Sequence, residues 1–166
     1  MPLSTGDVAP GFALPAAPGE IVDVGARIGQ RPIVLLFFPL AFSSVCTEEL
    51  CAVRDDWERW QDLGAEVYGI SADSPFVARR FRQELGLPFP LLSDFNHDVG
   101  AAYGVLYEEY FGLRGVARRA AFVVGTDGRI VHAWVGEQDD VLPDFGAVRG
   151  AVSAARTDGS RRRSTP

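Results

Sequence analysis

The most constraining feature of this chain is an apolar strand that runs straight into a helix with a cysteine in its first turn. The continuous apolar run of residues 33–38 is typical of a strand buried on both faces of a sheet. A short turn leads to a predicted helix over about residues 44–63, and Cys46 falls in its first turn. Unpaired backbone N–H groups and the helix dipole favour a thiolate there. A lone cysteine beside apolar residues is, however, more often an inert part of the core.

The rest of the chain alternates strands and helices before it ends in a hairpin and a helix. Short apolar pieces within residues 1–30 predict an N-terminal hairpin, and residues 126–128 supply the turn of a second one. This order predicts an α/β fold with a central mixed β-sheet flanked by helices. The predicted strands are residues 66–71, 89–92, 120–124 and 129–135, and the predicted helices are residues 75–85, 98–103 and about 142–155.

Length and composition fit one domain with a short tail. The 166 residues are enough for a single hydrophobic core, which we assign to residues 1–156. Residues 157–166 contain no apolar side chain and include three consecutive arginines, so we predict a disordered tail. The net charge of −6 does not favour a nucleic-acid partner.

The sequence also argues against membranes, metals and cofactors. No apolar stretch reaches the ~18 residues that span a bilayer, and the start of the chain lacks the pattern of a secretory signal. We therefore expect a cytoplasmic protein that has no membrane partner. Two cysteines and two scattered histidines do not have the spacing of metal ligands, and we expect no cofactor.

The residues around the thiol form a string that is known from a protein family. Pro39, Ser43 and Cys46 give the pattern PxxxSxxC between a strand and a helix. This string resembles the active-site motif of the peroxiredoxins, the thiol peroxidases. The stretch FFPLAFSSVC is similar to AhpE-type peroxiredoxins, whereas CTEELCAVRD is similar to the PrxQ, or bacterioferritin-comigratory, type. The resemblance covers about residues 7–155 and implies a thioredoxin-like fold.

The resemblance also implies an arginine that accompanies the thiolate. The peroxiredoxin pattern places an arginine three residues before the paired apolar residues of the hairpin strand, and Arg119 matches this register. Its guanidinium would hold the thiolate and donate to a peroxide oxygen. Arg118 and Arg114 lie nearby in the sequence as alternatives, and an arginine at the start of a strand is usually only a charged edge.

Several residues near the thiol have two interpretations each. Ser43 is a suitable N-cap, and its hydroxyl is also placed to donate to a peroxide. Pro39 can form a simple turn or can shield the sulfur from water. Glu49 can hold the arginine through a charge-assisted hydrogen bond or can be an exposed helix carboxylate. The backbone N–H groups of Val45 and Cys46 would complete the set of donors.

The second cysteine, Cys51, follows Cys46 by five residues. In the PrxQ-type pattern, the cysteine at this place resolves the oxidised first cysteine. Residues five apart on an intact helix have Cα atoms about 8–9 Å apart, whereas a disulfide tolerates at most about 7 Å. Resolution by Cys51 therefore predicts local unwinding of about residues 43–52. The alternative is a thiol packed on the flank of the helix, about 100° from the apolar stripe.

The expected activity is that of a thiol-dependent peroxidase. It would reduce hydrogen peroxide, organic hydroperoxides or peroxynitrite through a sulfenic acid on Cys46. The expected reductant is thioredoxin, a glutaredoxin- or mycoredoxin-like protein, or a low-molecular-weight thiol, and the protein would be a monomer or a homodimer. Two other functions stay open. One is a thiol–disulfide oxidoreductase, although its usual CxxC is CxxxxC here, and the other is a redox sensor or holdase without peroxidase turnover.

Overall fold

A computed structural model of the protein describes residues 1–163 and contains two sheets and five α-helices in that part of the chain. The strands are β1 Ala13–Ala17, β2 Glu20–Asp23, β3 Ile33–Phe37, β4 Glu66–Ser71, β5 Leu91–Ser93, β6 Ala120–Val124 and β7 Ile130–Val135. The α-helices are α1 Ser44–Asp55, α2 Trp57–Asp62, α3 Pro75–Leu85, α4 Asp98–Tyr103 and α5 Phe145–Arg163, and a 3-10 helix covers Gly25–Arg27.

The main sheet is mixed and has the strand order β5-β4-β3-β6-β7. Strand β3 pairs in parallel with β4, which pairs in parallel with β5. On its other side β3 pairs antiparallel with β6, and β6 forms the predicted hairpin with β7. Strands β1 and β2 make a separate N-terminal hairpin. The predicted α/β fold with a central mixed sheet is therefore confirmed.

The central strand β3 is buried on both faces because helices or chain segments cover each one. Val34 and Leu36 belong to a core that includes side chains of α1, α3 and α5. Ile33 and Leu35 alternate with them and pack instead into a second core with α4 and the N-terminal part of the chain. This two-sided burial explains the continuous apolar run in the sequence.

The long helix that the sequence predicts over residues 44–63 is divided into α1 and α2. Asp56 interrupts it with φ −105° and ψ 21°, and its N–H donates to the carbonyl of Arg54 instead of continuing the α-helical pattern. Aspartate is a poor residue for a helix interior. After the break, the Trp57 ring lies 5.5 Å from that of Phe89, so packing favours the redirected chain.

Three elements begin at a different residue from the one predicted. Strand β5 begins at Leu91 and not at residue 89, because Pro90 has no N–H for a ladder. Strand β7 begins at Ile130, one residue later than predicted. Helix α5 begins at Phe145, where Asp144 caps it by accepting the N–H of Ala147 at 3.1 Å.

The C-terminal end of α5 also differs from the prediction. The helix continues to Arg163, well past the predicted end at residue 155, so residues 157–163 of the predicted disordered tail have helical backbone. An existing helix extends with one hydrogen bond for each added residue, and arginine is a good helix former. Residues 164–166 of the predicted tail lie outside the described residues.

Candidate active site

The end of β3 and the start of α1 bring Cys46 into the core. After β3 the chain bends at the buried Pro39 and enters α1 through Ser43, which has extended backbone angles. The Ser43 Oγ atom accepts the N–H of Cys46 at 3.3 Å, which is the hydrogen bond of an N-cap. Cys46 lies in the first turn of the helix and is fully buried. The sulfur therefore sits at the positive end of α1, shielded from solvent.

Arg119 lies directly before β6 and reaches the sulfur across the sheet face that α1 covers. Its Nη1 and Nη2 atoms are both 3.4 Å from Cys46 Sγ. The side chain of Arg119 is buried with the sulfur. The guanidinium of Arg118 lies over the ring of Tyr107, 5.4 Å from its centroid, and Arg114 is exposed. Of the three arginines that the sequence offered, Arg119 is the one that forms a fork around the thiol.

Two acceptors fix the guanidinium of Arg119 from behind. Glu49 Oε2 lies 2.5 Å from Nη1, and Glu49 is fully buried, so the alternative of an exposed carboxylate is wrong. The main-chain carbonyl of Asp139 accepts from Nε at 3.1 Å and from Nη2 at 2.9 Å. Sequence reasoning missed this acceptor, because every residue has a carbonyl and no side-chain pattern marks the one that will be used.

The charges of these groups influence one another because all of them are buried. Burial raises the pKa of Glu49 to about 7, while the positive charge and the hydrogen bond of Arg119 act in the opposite direction. Burial alone would lower the pKa of Arg119, but Glu49 and Cys46 together raise it above its usual value. The guanidinium is therefore a permanent cation, and burial brings the pKa of the Glu49 carboxyl close to neutral pH.

The loop before α1 is held in a defined shape. The N–H of Ala41 donates to Asp73 Oδ2 at 2.7 Å, and the hydroxyl of Ser71 donates to the same oxygen. Phe42 has a φ of 68°, which is uncommon for a residue other than glycine, and its ring lies 4.8 Å from that of Phe81. Contacts outside the loop therefore maintain its geometry, and with it the entry into α1.

The structure also shows the state of the Cys46 N–H group and the position of the second cysteine. The N–H of Cys46 was predicted to be a donor for the substrate, but it already donates to Ser43 Oγ and is therefore not free. Cys51 is a half-buried free thiol five residues further along the continuous helix α1. In an intact helix, residues five apart are too far from each other for a disulfide, so Cys46 and Cys51 cannot bond directly while α1 keeps this shape. Among residues 1–156, whose side chains the structure describes, no group of three or more metal-ligating side chains comes together.

A buried thiol at a helix N-terminus, held in an arginine fork on a mixed sheet of this topology, is the arrangement of a thiol peroxidase with a thioredoxin-like fold. The AhpC/TSA family matches residues 5–133 of the chain. Peroxiredoxin Bcp of Escherichia coli strain K12 is 38% identical over 136 residues, which cover 80% of this chain and 86% of the relative. The chain therefore belongs to the AhpC/TSA family, and it is a peroxiredoxin, an enzyme that reduces peroxides at the expense of thiols.

Further relatives and solved structures agree with this assignment. A putative peroxiredoxin of Mycobacterium tuberculosis strain H37Rv is 40% identical over 134 residues, with 79% of this chain and 84% of the relative covered. The crystal structure of peroxidoxin BcpB from Mycobacterium tuberculosis has a TM-score of 0.78 at 28% identity and covers 93% of this chain and 97% of its own. Among the described helices, none combines the length and the apolar character needed to cross a membrane.

Proposed function

We propose that Cys46 is the sulfur that peroxide oxidises and that Arg119, Ser43 and Pro39 assist the reaction. The observation that carries this proposal is the fork of two guanidinium nitrogens, each 3.4 Å from Sγ. A permanent cation at this distance favours the thiolate over the thiol, and the thiolate is the nucleophile. The first turn of α1 adds positive potential at the same atom.

The chemical step is a displacement at oxygen. The Cys46 thiolate attacks one peroxide oxygen, so that a sulfur–oxygen bond forms and the oxygen–oxygen bond breaks. The sulfur is oxidised to a sulfenic acid, and the departing oxygen becomes water or an alcohol after it takes up a proton. The N–H groups of Arg119 and the hydroxyl of Ser43 stabilise the charge that develops on that oxygen. Pro39 lies buried beside this region and has no N–H that would compete for the substrate.

The proposed substrates are hydrogen peroxide, organic hydroperoxides and peroxynitrite, and each must reach a buried sulfur. Cys46 is fully buried, so a substrate reaches the sulfur only when residues 39–43 move. Hydrogen peroxide, peroxynitrite and organic hydroperoxides all present the oxygen–oxygen bond that the reaction requires. Phe42 in this segment occupies the left-handed region, which costs on the order of 1 kcal/mol and lowers the energy needed to open the loop.

Cys51 completes the cycle as the resolving cysteine in this proposal. The intact helix keeps Cα atoms five residues apart at about 8–9 Å, so the sulfenic acid and the Cys51 thiol meet only after about residues 43–52 unwind. Cys51 is half-buried and free, which fits a thiol that is released by a local change. Thioredoxin, a glutaredoxin- or mycoredoxin-like protein, or a low-molecular-weight thiol then reduces the disulfide.

The setting of the enzyme is part of the same proposal. We place the enzyme in the cytoplasm, a reducing compartment in which two cysteines are more often redox-active than a static disulfide. The exposed aromatic residues Phe42 and Phe111 are compatible with either a monomer or a homodimer in solution.

Stopped-flow measurement of peroxide consumption tests the proposal with the parent protein and the variants Cys46→Ser and Cys51→Ser. Sulfur oxidation should be fast in the parent and in Cys51→Ser, and it should be lost in Cys46→Ser. Turnover with thioredoxin should be lost in Cys51→Ser, and its retention would indicate an external resolving thiol. If the parent reduced protein disulfides quickly and peroxide no faster than a free thiol, the oxidoreductase alternative would be correct.

A further inference from the structure

One cation and two acidic groups share the dry centre of the site. Arg119 Nη1 lies 2.5 Å from Glu49 Oε2 and 3.4 Å from Cys46 Sγ, so a single N–H-bearing nitrogen faces both acidic groups. Cys46 and Glu49 are fully buried, and Arg119 is 1% exposed. If both acidic groups were ionised, the centre would carry a net negative charge with no solvent to stabilise it.

The surroundings stabilise a negative charge better on the sulfur of Cys46 than on the carboxyl group of Glu49. The sulfur lies in the first turn of α1, where the helix dipole favours a negative charge, and it has both Nη atoms at 3.4 Å. Glu49 lies beyond the first turn, where the dipole has little effect. Its Oε1 atom is buried and has no hydrogen-bond partner among the described residues. An ionised carboxylate with one unsatisfied buried oxygen is costly, so the proton is better placed on Glu49 than on the sulfur.

We propose that Glu49 holds the proton that Cys46 gives up, so that the reactive thiolate exists together with a neutral Glu49 and the charged Arg119. This inference rests on the proposed role of Cys46 as the oxidised sulfur. In the exchange an S–H bond breaks and an O–H bond forms on the carboxyl group, and the net charge of the three groups stays at zero. Glu49 is then a positioning residue that sets the charge at the site through Arg119.

The neighbouring groups are consistent with this distribution of charge. Burial raises the pKa of Glu49 to about 7, and among the described residues it is the charge and hydrogen bond of Arg119 that oppose this rise. On the far side of the guanidinium, Asp139 contributes its carbonyl, while its carboxylate accepts the hydroxyl of Tyr110 at 2.9 Å. Burial raises the pKa of Tyr107 and of Tyr110, so both phenols are neutral near pH 7.

Oxidation of the sulfur reverses the exchange. When the thiolate becomes a neutral sulfenic acid, Arg119 has no second anion, and Glu49 ionises to take that place. The proton that Glu49 loses balances the hydroxide or alkoxide that leaves the peroxide. For hydrogen peroxide, thiolate, carboxylic acid and peroxide become sulfenic acid, carboxylate and water, and no proton is exchanged with the solvent.

The number of protons exchanged during a single oxidation tests this inference. The experiment uses the full chain with Cys51→Ser, so that oxidation stops at the sulfenic acid, in weak buffer near neutral pH with a pH indicator. Thiolate absorbance is recorded before hydrogen peroxide is added, and sulfenic acid is quantified afterwards. We expect the Cys51→Ser protein to start as thiolate and to exchange no protons, whereas Cys51→Ser/Glu49→Gln takes up about one proton for each sulfenic acid formed.

Glu48→Gln is the matched control, because it removes the same charge from an exposed position of the same helix. It should behave as the Cys51→Ser protein does. Uptake of about one proton by the Cys51→Ser protein would mean that Glu49 is ionised beside the thiolate, and it would overturn the inference even if Glu49→Gln did not fold. Absence of thiolate absorbance before oxidation would also overturn it. Failure to form any sulfenic acid would overturn the proposed function and this inference together.

Discussion

Arg118 and Arg119 are neighbours in the chain but lie in different environments of the folded protein. Arg119 is buried between Cys46 and Glu49, and every nitrogen of its guanidinium makes a hydrogen bond. Arg118 is half-buried, its Nη2 donates to the carbonyl of Gly136 at 3.3 Å, and its guanidinium lies over Tyr107. Arg119 continues the alternation of β6 toward the core that contains Cys46, whereas Arg118 contacts Tyr107 and Gly136 instead.

The comparison shows what strand register contributes to a catalytic site. Residues 119, 121 and 123 face the core that contains Cys46, whereas residues 120, 122 and 124 face the core with α4. A shift of the β6 register by one residue would therefore bring Arg118 to the sulfur and turn Ala121 toward the core with α4. The charge at the site thus depends on the same alternation that builds the hydrophobic core.

The largest effect should come from exchanging Arg119 for lysine, with Arg118→Lys as the control. Arg119→Lys keeps the positive charge but loses the fork of N–H groups, so the rate of Cys46 oxidation should fall by about 10²–10³-fold. Arg118→Lys should change that rate by less than about threefold, because its guanidinium contacts neither sulfur nor Glu49. Stopped-flow fluorescence with hydrogen peroxide measures both variants. Equal losses in the two variants would contradict the different roles assigned to them.

A smaller effect should appear in the pH dependence of stability, because Glu49, the partner of Arg119, has a different pKa in the folded protein and in the unfolded chain. Its pKa is raised to about 7 in the folded protein from about 4.5 in the unfolded chain. The protonated group therefore favours folding, in full below the unfolded pKa, and this contribution is lost as pH rises through the folded pKa. Glu49→Gln should lack this loss, which amounts to roughly 2 kcal/mol between about pH 5 and pH 8.

Urea unfolding of the parent and of Glu49→Gln at the two pH values measures this contribution, with Glu48→Gln as the exposed control. The free energy of unfolding of the parent should fall relative to that of Glu49→Gln as pH rises. A difference that does not change with pH would mean that Glu49 keeps the same ionisation state in the folded and unfolded protein.

Much of this arrangement could be predicted from the sequence, because local signals specify it. The apolar run of β3, the cap at Ser43 and the register of Arg119 each follow from a period or a short pattern. The sequence leaves the burial of Glu49 open, although its position three residues after Cys46 places it beside the buried stripe of α1. The break at Asp56 was also missed, because contacts distant in sequence decide it.

Asp139 connects Tyr110 to Arg119, and Tyr110→Phe tests this connection. The Tyr110 hydroxyl donates to the Asp139 carboxylate, while the Asp139 carbonyl accepts from Arg119. Loss of this hydroxyl should destabilise the protein by about 1 kcal/mol and lower the rate of Cys46 oxidation a few-fold. Burial raises the pKa of Tyr110 to about 12, so the effect should not vary with pH near neutrality.

Tyr107→Phe is the control for this measurement, because it alters the stacked partner of Tyr110 and leaves the bond to Asp139 in place. It should have a smaller effect on the oxidation rate than Tyr110→Phe has. Identical rates in both variants and the parent would show that Asp139 holds Arg119 without help from Tyr110.

The smallest effect should come from Arg118 itself. Its contact with Tyr107 is worth about 0.5–1 kcal/mol, but its Nε atom is buried without a partner among the described residues, which offsets part of that gain. Arg118→Met keeps the packing of the aliphatic stem and removes the unsatisfied donor, so it should destabilise the protein less than Arg118→Ala. Thermal unfolding of the two variants measures the difference. An equal or larger loss in Arg118→Met would contradict this prediction and would mean that the packing of the aliphatic stem contributes nothing to stability at this position.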